Sequence, residues 1–397
     1  MYSISVPKPK ERYLSAPIVE DLEKKMVFLG GPRQIGKTTL AQTLVGARFK
    51  ETAYFNWDNR QQRQQLMASQ WPGSAELIIL DELHKFKGWK RFIKGQYDTL
   101  KDRFKFLITG SARLDLYRKG GDSLQGRYHY YRLHPFTLSE MLGLKTRIEP
   151  FREIQIAAMR PGNEFNVLEK FGGFPEPLIS QDERTLRRWH NERNERLFRE
   201  DIRDTEMILD IGRMKLLGDM LPSKVGALLS VNAIREDLDV SHRAASRWLD
   251  ILESFYYHFR IYPYARGPFR SLKKEPKLYL WDWSELEKES ARFENIIASH
   301  LLKLTHWLQD REGYKAKLYF LRDAAKREVD FLVTVGEKPW FAVEAKTQDE
   351  EVSSSMRYFK ERLKIPFCYQ VIKKKGVDKL INGVRVISAD ALLAALL

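Results

Sequence analysis

Residues 28–44 read FLGGPRQIGKTTLAQTL, and the rest of the chain is organised around them. Within this stretch Gly31-Pro32-Arg33-Gln34-Ile35-Gly36-Lys37-Thr38 fits the phosphate-loop pattern G-x-x-x-x-G-K-S/T without a mismatch. The spacing has a physical purpose. The glycines let successive backbone N–H groups turn inward around a di- or triphosphate. Lys37 can reach the β- and γ-phosphates, and the Thr38 hydroxyl can ligate Mg²⁺. Met26-Val-Phe-Leu29 reads as a short buried strand before the loop, and Thr38 to Val45 as a helix after it. Such a helix points its positive end at the phosphates. Gly31 through Thr39 are therefore the expected nucleotide contacts, with ATP and Mg²⁺ as the expected cofactors.

Working outward, Glu76-Leu-Ile-Ile-Leu80-Asp81-Glu82 places four consecutive aliphatics before two acids. The aliphatic run predicts a strand buried on both faces, as in a parallel sheet. Asp81 is the expected water-mediated Mg²⁺ ligand, and Glu82 the group that polarises the attacking water. A third apolar strand, Lys105-Phe-Leu-Ile108, ends in Thr109-Gly-Ser111, where Thr109 or Ser111 could sense the γ-phosphate. Phe86, Trp89, Phe92, Ile93 and Tyr97 recur at helical spacing and are expected in the core. Strand–helix alternation up to residue 111 predicts a doubly wound α/β sheet with the nucleotide at the carboxyl ends of its strands. Arg127, in Ser-Leu-Gln-Gly-Arg127, is the candidate arginine finger, worth roughly 10³–10⁵ in rate where such a group acts; the alternative is a surface arginine in a basic stretch.

Further along, residues 135–205 are expected to be helical, with glycine breaks at Gly143 and at Phe171-Gly-Gly-Phe-Pro175. They could form a lid over the nucleotide. Three helical segments follow, Leu216–Leu229, Asn232–Leu238 and Ser241–Tyr256, and then a basic hairpin, the arrangement of a winged helix. Arg243 and Arg247 would face a major groove, with Lys273 and Lys274 on the DNA backbone. The same module can serve instead as a protein or inter-domain contact. In the last stretch Asp330 lies on one expected strand and Glu344-x-Lys346 on the next, after a helix that carries Glu294. Two carboxylates can chelate Mg²⁺ while an ammonium orients or deprotonates water, as in metal-dependent phosphodiesterases. A fold kept only as scaffold is the alternative.

Composition narrows the field. The 397 residues are too many for one ordinary core, so two or three domains are expected. Lysine and arginine number 68 against 53 acids, a net charge of +15, which favours nucleic acid first and acidic membrane surfaces second. A single cysteine, Cys368, excludes an internal disulfide and a cysteine-based zinc site, as suits a reducing cytoplasm. The first residues lack an apolar leader core and no run approaches a membrane span, so a cytoplasmic protein with no membrane partner is expected.

The chain resembles a prokaryotic family of AAA-type ATPases that carry a C-terminal domain of unknown function. The resemblance spans nearly the whole length and rests on an ordered set: GPRQIGKTTL, LIILDELHKFKGW, ITGSARLDL with SLQGR, FGGFPEP, LFREDI, and FEN…EVDFLV…FAVEAK. It implies an AAA-like P-loop core over residues 1–150, a helical lid or linker over 151–205, a winged helix over 206–284, and an α/β domain of the PD-(D/E)xK nuclease fold over 285–397. Lys37, Thr38, Asp81, Glu82 and Arg127 carry over to the ATPase site, and Asp330, Glu344 and Lys346 to the nuclease-like core. The proline that nominally precedes the first acid of that core is Val329 here. The functional expectation is a DNA-associated ATPase that couples hydrolysis to DNA binding or remodelling, with homo-oligomerisation if Arg127 acts across a subunit boundary. A second reading is an ATP-controlled signalling switch that binds protein partners, and a third a nuclease licensed by ATP.

Overall fold

In the computed structural model, residues 11–110, 124–156, 161–202, 210–265, 274–347 and 351–397 are described. Ser111 and Lys273 lie outside them. The chain divides into two compact units, Met1–His134 and Pro135–Leu397.

The first unit is built on five short strands: β1 (Met26–Gly30), β2 (Thr52–Asn56), β3 (Leu77–Asp81), β4 (Lys105–Thr109) and β5 (Tyr128–Arg132). Their order is β2-β3-β4-β1-β5, and every pair is parallel. β1 and β3 are buried at all five positions, as their unbroken apolar runs require of strands covered on both faces. After β1 the chain crosses to the far side of the sheet before returning through β3 and β4, which opens a crevice at the carboxyl ends of the strands. The core on one face gathers Phe28, Trp89, Ile93 and Phe106, with Phe28 stacked on Tyr128 at 4.4 Å between ring centroids. Of the expected aromatic stripe, Trp89 and Ile93 are fully buried, while Phe86, Phe92 and Tyr97 flank that core partly exposed. The predicted helix after the loop is α-helical over Lys37–Thr39 and π-helical over Leu40–Val45.

The second unit holds an eight-stranded mixed sheet: β6 (His258–Pro263), β7 (Lys277–Leu280), β8 (Ala316–Arg322), β9 (Glu328–Val335), β10 (Lys338–Lys346), β11 (Phe367–Ile372), β12 (Asp378–Ile381) and β13 (Val384–Ser388). The order is β12-β13-β11-β10-β9-β8-β6-β7. A 22-residue helix, Glu289–Asp310, lies against β7 to β10. Three expectations change here. The anticipated boundary at 284/285 cuts a continuous sheet, because β6 pairs with β8 in parallel while pairing with β7 antiparallel. Residues 135–205 group with the second unit rather than forming a separate segment, and the described part between Gly143 and Asn163 is not helical. Finally, the three helices run Ile211–Met220, Val231–Leu238 and His242–Ser254. The first ends earlier than its apolar spacing suggested, since Pro222 opens a 3₁₀ turn and Val225 and Leu228 bridge to β7 instead.

Gly172 ends the helix Glu164–Phe171 at φ +74°, where a Cβ would come 2.7 Å from Asp282 Oδ1. The Phe-Gly-Gly-Phe sequence is thus a close-approach point. Among the described residues no helix is long and apolar enough to cross a membrane.

A buried ion pair stitches this unit together. Lys303 Nζ donates to Glu140 Oε2 at 2.6 Å and to Thr137 Oγ1 at 2.8 Å, with Lys303 fully enclosed. Removing one partner strands a charge in a low-dielectric interior, which costs far more than the intact pair contributes. Lys303→Met is expected to destabilise the second unit by about 3–5 kcal/mol, whereas Lys303→Met with Glu140→Gln recovers most of that loss. Hydrogen exchange of the Glu289–Asp310 amides under urea measures both; equal losses in the two variants would contradict it.

Candidate functional site

The loop after β1 is shaped by residues whose backbone lies in the left-handed region. Gly31 (φ +147°), Gln34 (φ +60°) and Gly36 (φ +92°) turn it, and a Cβ at Gly31 would come 2.7 Å from Leu133 O. Lys37 is 7 % exposed and folds over the loop, donating to Gly31 O at 3.0 Å and Pro32 O at 2.7 Å. From outside the loop, the buried Arg12 donates to Ile35 O at 3.1 Å and to His134 O, tying the loop to the end of the unit.

Asp81 is the centre of this site. The parallel register sets Asn56, Asp81 and Thr109 side by side at the strand ends. Asp81 Oδ2 accepts from Thr38 Oγ1 at 2.9 Å and from Tyr54 OH at 2.8 Å, and Oδ1 accepts from Thr109 Oγ1. Burial and the Asp81 carboxylate push the Tyr54 phenol well above its ordinary pKa, so it stays a donor. Thr109 is wholly buried and its hydroxyl donates to Asp81, which helps orient that carboxylate. The donor set of one hydroxyl and one carboxylate, both hard oxygens, fits Mg²⁺.

Glu82 behaves differently. Its backbone is left-handed at φ +57°, a strained position of the kind that collects at functional sites. Its Oε2 is buried and makes no hydrogen bond; the His84 Nε2 lies 3.5 Å away and the Lys85 Nζ 3.7 Å away. Burial raises its pKa, opposed by the charge of Lys37. A carboxylate so raised and so lightly held can take part in proton chemistry.

Arg127 is not with them. Its carbonyl accepts from Met26 N at the start of β1, whereas the loop follows the end of that strand. Five strand residues separate the two, about 16 Å at 3.3 Å per residue. Its guanidinium makes a bidentate pair with Asp98, Nε to Oδ1 at 2.6 Å and Nη2 to Oδ2 at 3.0 Å. As a charge completing its own chain's γ-phosphate site, Arg127 is ruled out by this placement.

In the second unit, β9 and β10 do bring Asp330 and Glu344 together, and Glu294 joins them from the helix Glu289–Asp310. Each is already engaged. Asp330 Oδ2 accepts from Ala345 N at 2.9 Å, Glu294 Oε1 accepts from Tyr279 OH at 2.7 Å, and Glu344 Oε1 pairs with Lys346 Nζ at 3.0 Å. Lys277 of β7, which the sequence did not single out, enters the group with Nζ 3.3 Å from Asp330 Oδ1, 3.5 Å from Glu294 Oε1 and 2.7 Å from Glu328 Oε1. Burial, reinforced by Asp330, raises Glu294 to about 7 and also raises Glu344. Among the described residues no three acid, histidine or cysteine side chains are grouped to hold a metal ion. The expected nuclease metal would have to take these oxygens from the Lys277 ammonium.

Of the expected DNA-facing residues, Arg243 and Arg247 are exposed on the helix His242–Ser254, and Lys274 is exposed ahead of β7. Ser241 caps that helix through Ala244 N at 3.1 Å. Tyr54, Arg12 and Lys277 carried no sequence signal, because their partners are set only by strand order and chain crossings.

Residues 23–142 match a family model described as an AAA domain, residues 165–287 a domain of unknown function (DUF8612), and residues 289–392 another (DUF4143). An uncharacterized protein of Mycobacterium tuberculosis is 24% identical over 345 residues, which cover 84% of this chain and 73% of that protein. One from Methanocaldococcus jannaschii is 24% identical over 341 residues, covering 80% and 75%. Among solved structures, Aeropyrum pernix ORC1 in complex with DNA aligns over 75% of this chain and 96% of its own, at 12% identity and a TM-score of 0.33. The Thermotoga maritima RuvB Holliday junction branch migration motor aligns over 66% and 93%, at 17% identity and a TM-score of 0.30. Scores this low carry no argument about function. The parallel sheet, the phosphate loop and the match over residues 23–142 agree: the first unit has the AAA-like P-loop NTPase fold.

Proposed function

We propose that this chain hydrolyses ATP at the first unit's loop and uses the cycle to act on DNA. The observation that carries the ATPase reading is the contrast between neighbours: Asp81 is held by three hydroxyls, while Glu82 Oε2 is buried without a hydrogen bond. The first is what a fixed metal-ion ligand needs, and the second what a base acting on water needs. Bound Mg²⁺, held by Thr38 with Asp81, would supply charge neutralisation at the phosphates. Lys37, now bonded to Gly31 O and Pro32 O, would exchange those carbonyls for phosphate oxygens.

DNA as the partner rests on the net charge of +15 and on Arg243, Arg247 and Lys274 standing exposed around the helix-and-hairpin segment. A second reading, a switch that binds proteins, is favoured by one observation: β6 and β7 are built into the large sheet, so the hairpin is part of the body of its unit. Since Arg127 lies at the opposite strand ends from its own loop, the finger role belongs only to an assembly in which one copy's Arg127 meets another's nucleotide.

Lys37→Ala is expected to abolish nucleotide binding or turnover, while Glu82→Gln keeps ATP binding and loses turnover. Equilibrium binding beside phosphate release checks both; parental turnover in Glu82→Gln would remove its assigned role. Arg127→Ala should bind ATP without hydrolysing it, and mixing it with Lys37→Ala protein should restore part of the rate. No recovery on mixing would exclude action across a subunit boundary. Arg243→Ala with Arg247→Ala should weaken duplex binding and flatten its log–log salt slope by roughly 0.9 per lost phosphate contact. Unchanged DNA affinity and slope, with ATP turnover intact, would favour the protein-binding switch.

A further inference from the structure

The carboxylate centre of the second unit contains more structure than a vacant metal site requires. Lys277 is 2 % exposed and meets three carboxylates, those of Glu294, Glu328 and Asp330. An ammonium is not tolerated in a protein interior without negative charge beside it, and the three carboxylates supply that charge. Lys277 is the first residue of β7, and its neighbour across an isolated bridge is Leu228. Two residues before that, Gly226 (φ +77°) rests on Glu294 so closely that a Cβ would be 3.2 Å from both carboxylate oxygens. The cluster is therefore filled from within by a cation and covered by backbone at Glu294.

We infer that Lys277 is a built-in cation occupying the place of a divalent metal, so that this centre clamps β7 to β9 and to the helix Glu289–Asp310 and does not cut DNA. Three features of the geometry support this. Asp330 has Oδ1 beside the Lys277 ammonium, where a divalent ion would meet like charge, and Oδ2 on the Ala345 amide. Glu294 is shared between Lys277 and Tyr279. Glu344, 5 % exposed, pairs through Oε1 with Lys346 and keeps Oε2 without a hydrogen bond. A hard divalent ion needs six or so oxygens, several of them carboxylate or water, and a buried ammonium competes for the same ones. Removal of that ammonium would leave Glu294, Asp330 and Glu344 mutually repelling in a space that a small cation could neutralise.

The test is Mn²⁺ binding by the full-length chain, followed by electron paramagnetic resonance without nucleotide and compared with the Asp330→Asn variant in each background. The unsubstituted protein is expected to show no Mn²⁺ site that depends on Asp330, and no cleavage of duplex or branched DNA in Mg²⁺ or Mn²⁺ with or without ATP. Lys277→Met is expected to gain one Asp330-dependent Mn²⁺ site, bound about tenfold tighter or more than anything at that centre in the parent. Lys277→Arg keeps a cation and is expected to gain none. An Asp330-dependent Mn²⁺ site or cleavage in the unsubstituted protein overturns the inference. So does a Lys277→Met protein that keeps the parent's circular dichroism and acquires no such site up to millimolar Mn²⁺; where Lys277→Met does not fold, Lys277→Gln is read in the same way. Because the Asp330-dependent Mn²⁺ readout is taken without nucleotide, it stands apart from the outcome of the ATPase tests.

Discussion

A single carboxylate organises the first unit's site. Asp81 ends a strand buried at every position and accepts hydrogen bonds from Thr38, Tyr54 and Thr109. Those three donors come from the loop helix, from β2 and from β4, so one side chain fixes three elements at the strand ends. In a low-dielectric setting each of these bonds is stronger than in water, and losing one leaves a charge poorly satisfied. Arg12 adds an outer restraint by holding the Ile35 carbonyl. The loop is thus shaped by backbone geometry and by contacts from outside it.

The two units treat buried acids in opposite ways. In the first, Glu82 keeps an oxygen without a hydrogen bond and a strained backbone, with the Lys85 ammonium at 3.7 Å. Such imperfect satisfaction is costly in a purely structural site and is expected where a group must exchange a proton. In the second, Glu294, Glu328 and Asp330 are brought to one lysine, and Lys346 holds Glu344 through Oε1 although its Oε2, like that of Glu82, makes no hydrogen bond. Charge density alone does not separate reactive from structural clusters. What separates them is whether a cation of the chain already fills the middle.

Much of the first unit could be read from residue order. The aliphatic runs ending at Leu29, Leu80 and Ile108 are strands in one parallel sheet, and the acids after Leu80 stand at their carboxyl ends. Local pattern sufficed there because burial on both faces leaves a continuous apolar signature. Arg127 shows where it fails: nearness in sequence to the sheet said nothing about which end of β5 it would occupy. The helix read as Leu216–Leu229 fails for a related reason, since apolar spacing cannot register that Val225 and Leu228 are claimed by β7.

By itself the sequence determined the loop, its Lys37 and Thr38, the acids Asp81 and Glu82, and the placing of Asp330 and Glu344 on adjacent strands. Each depends on a spacing of a few residues, within which backbone geometry is fixed by local chemistry. Only the tertiary structure decided that Tyr54 and Thr109 hold Asp81, that Arg127 stands away from its own loop, and that Lys277 enters the carboxylate centre. These contacts join residues tens of positions apart through strand order and chain crossings. Many side chains could have answered the same buried charge, and packing alone selected which one does.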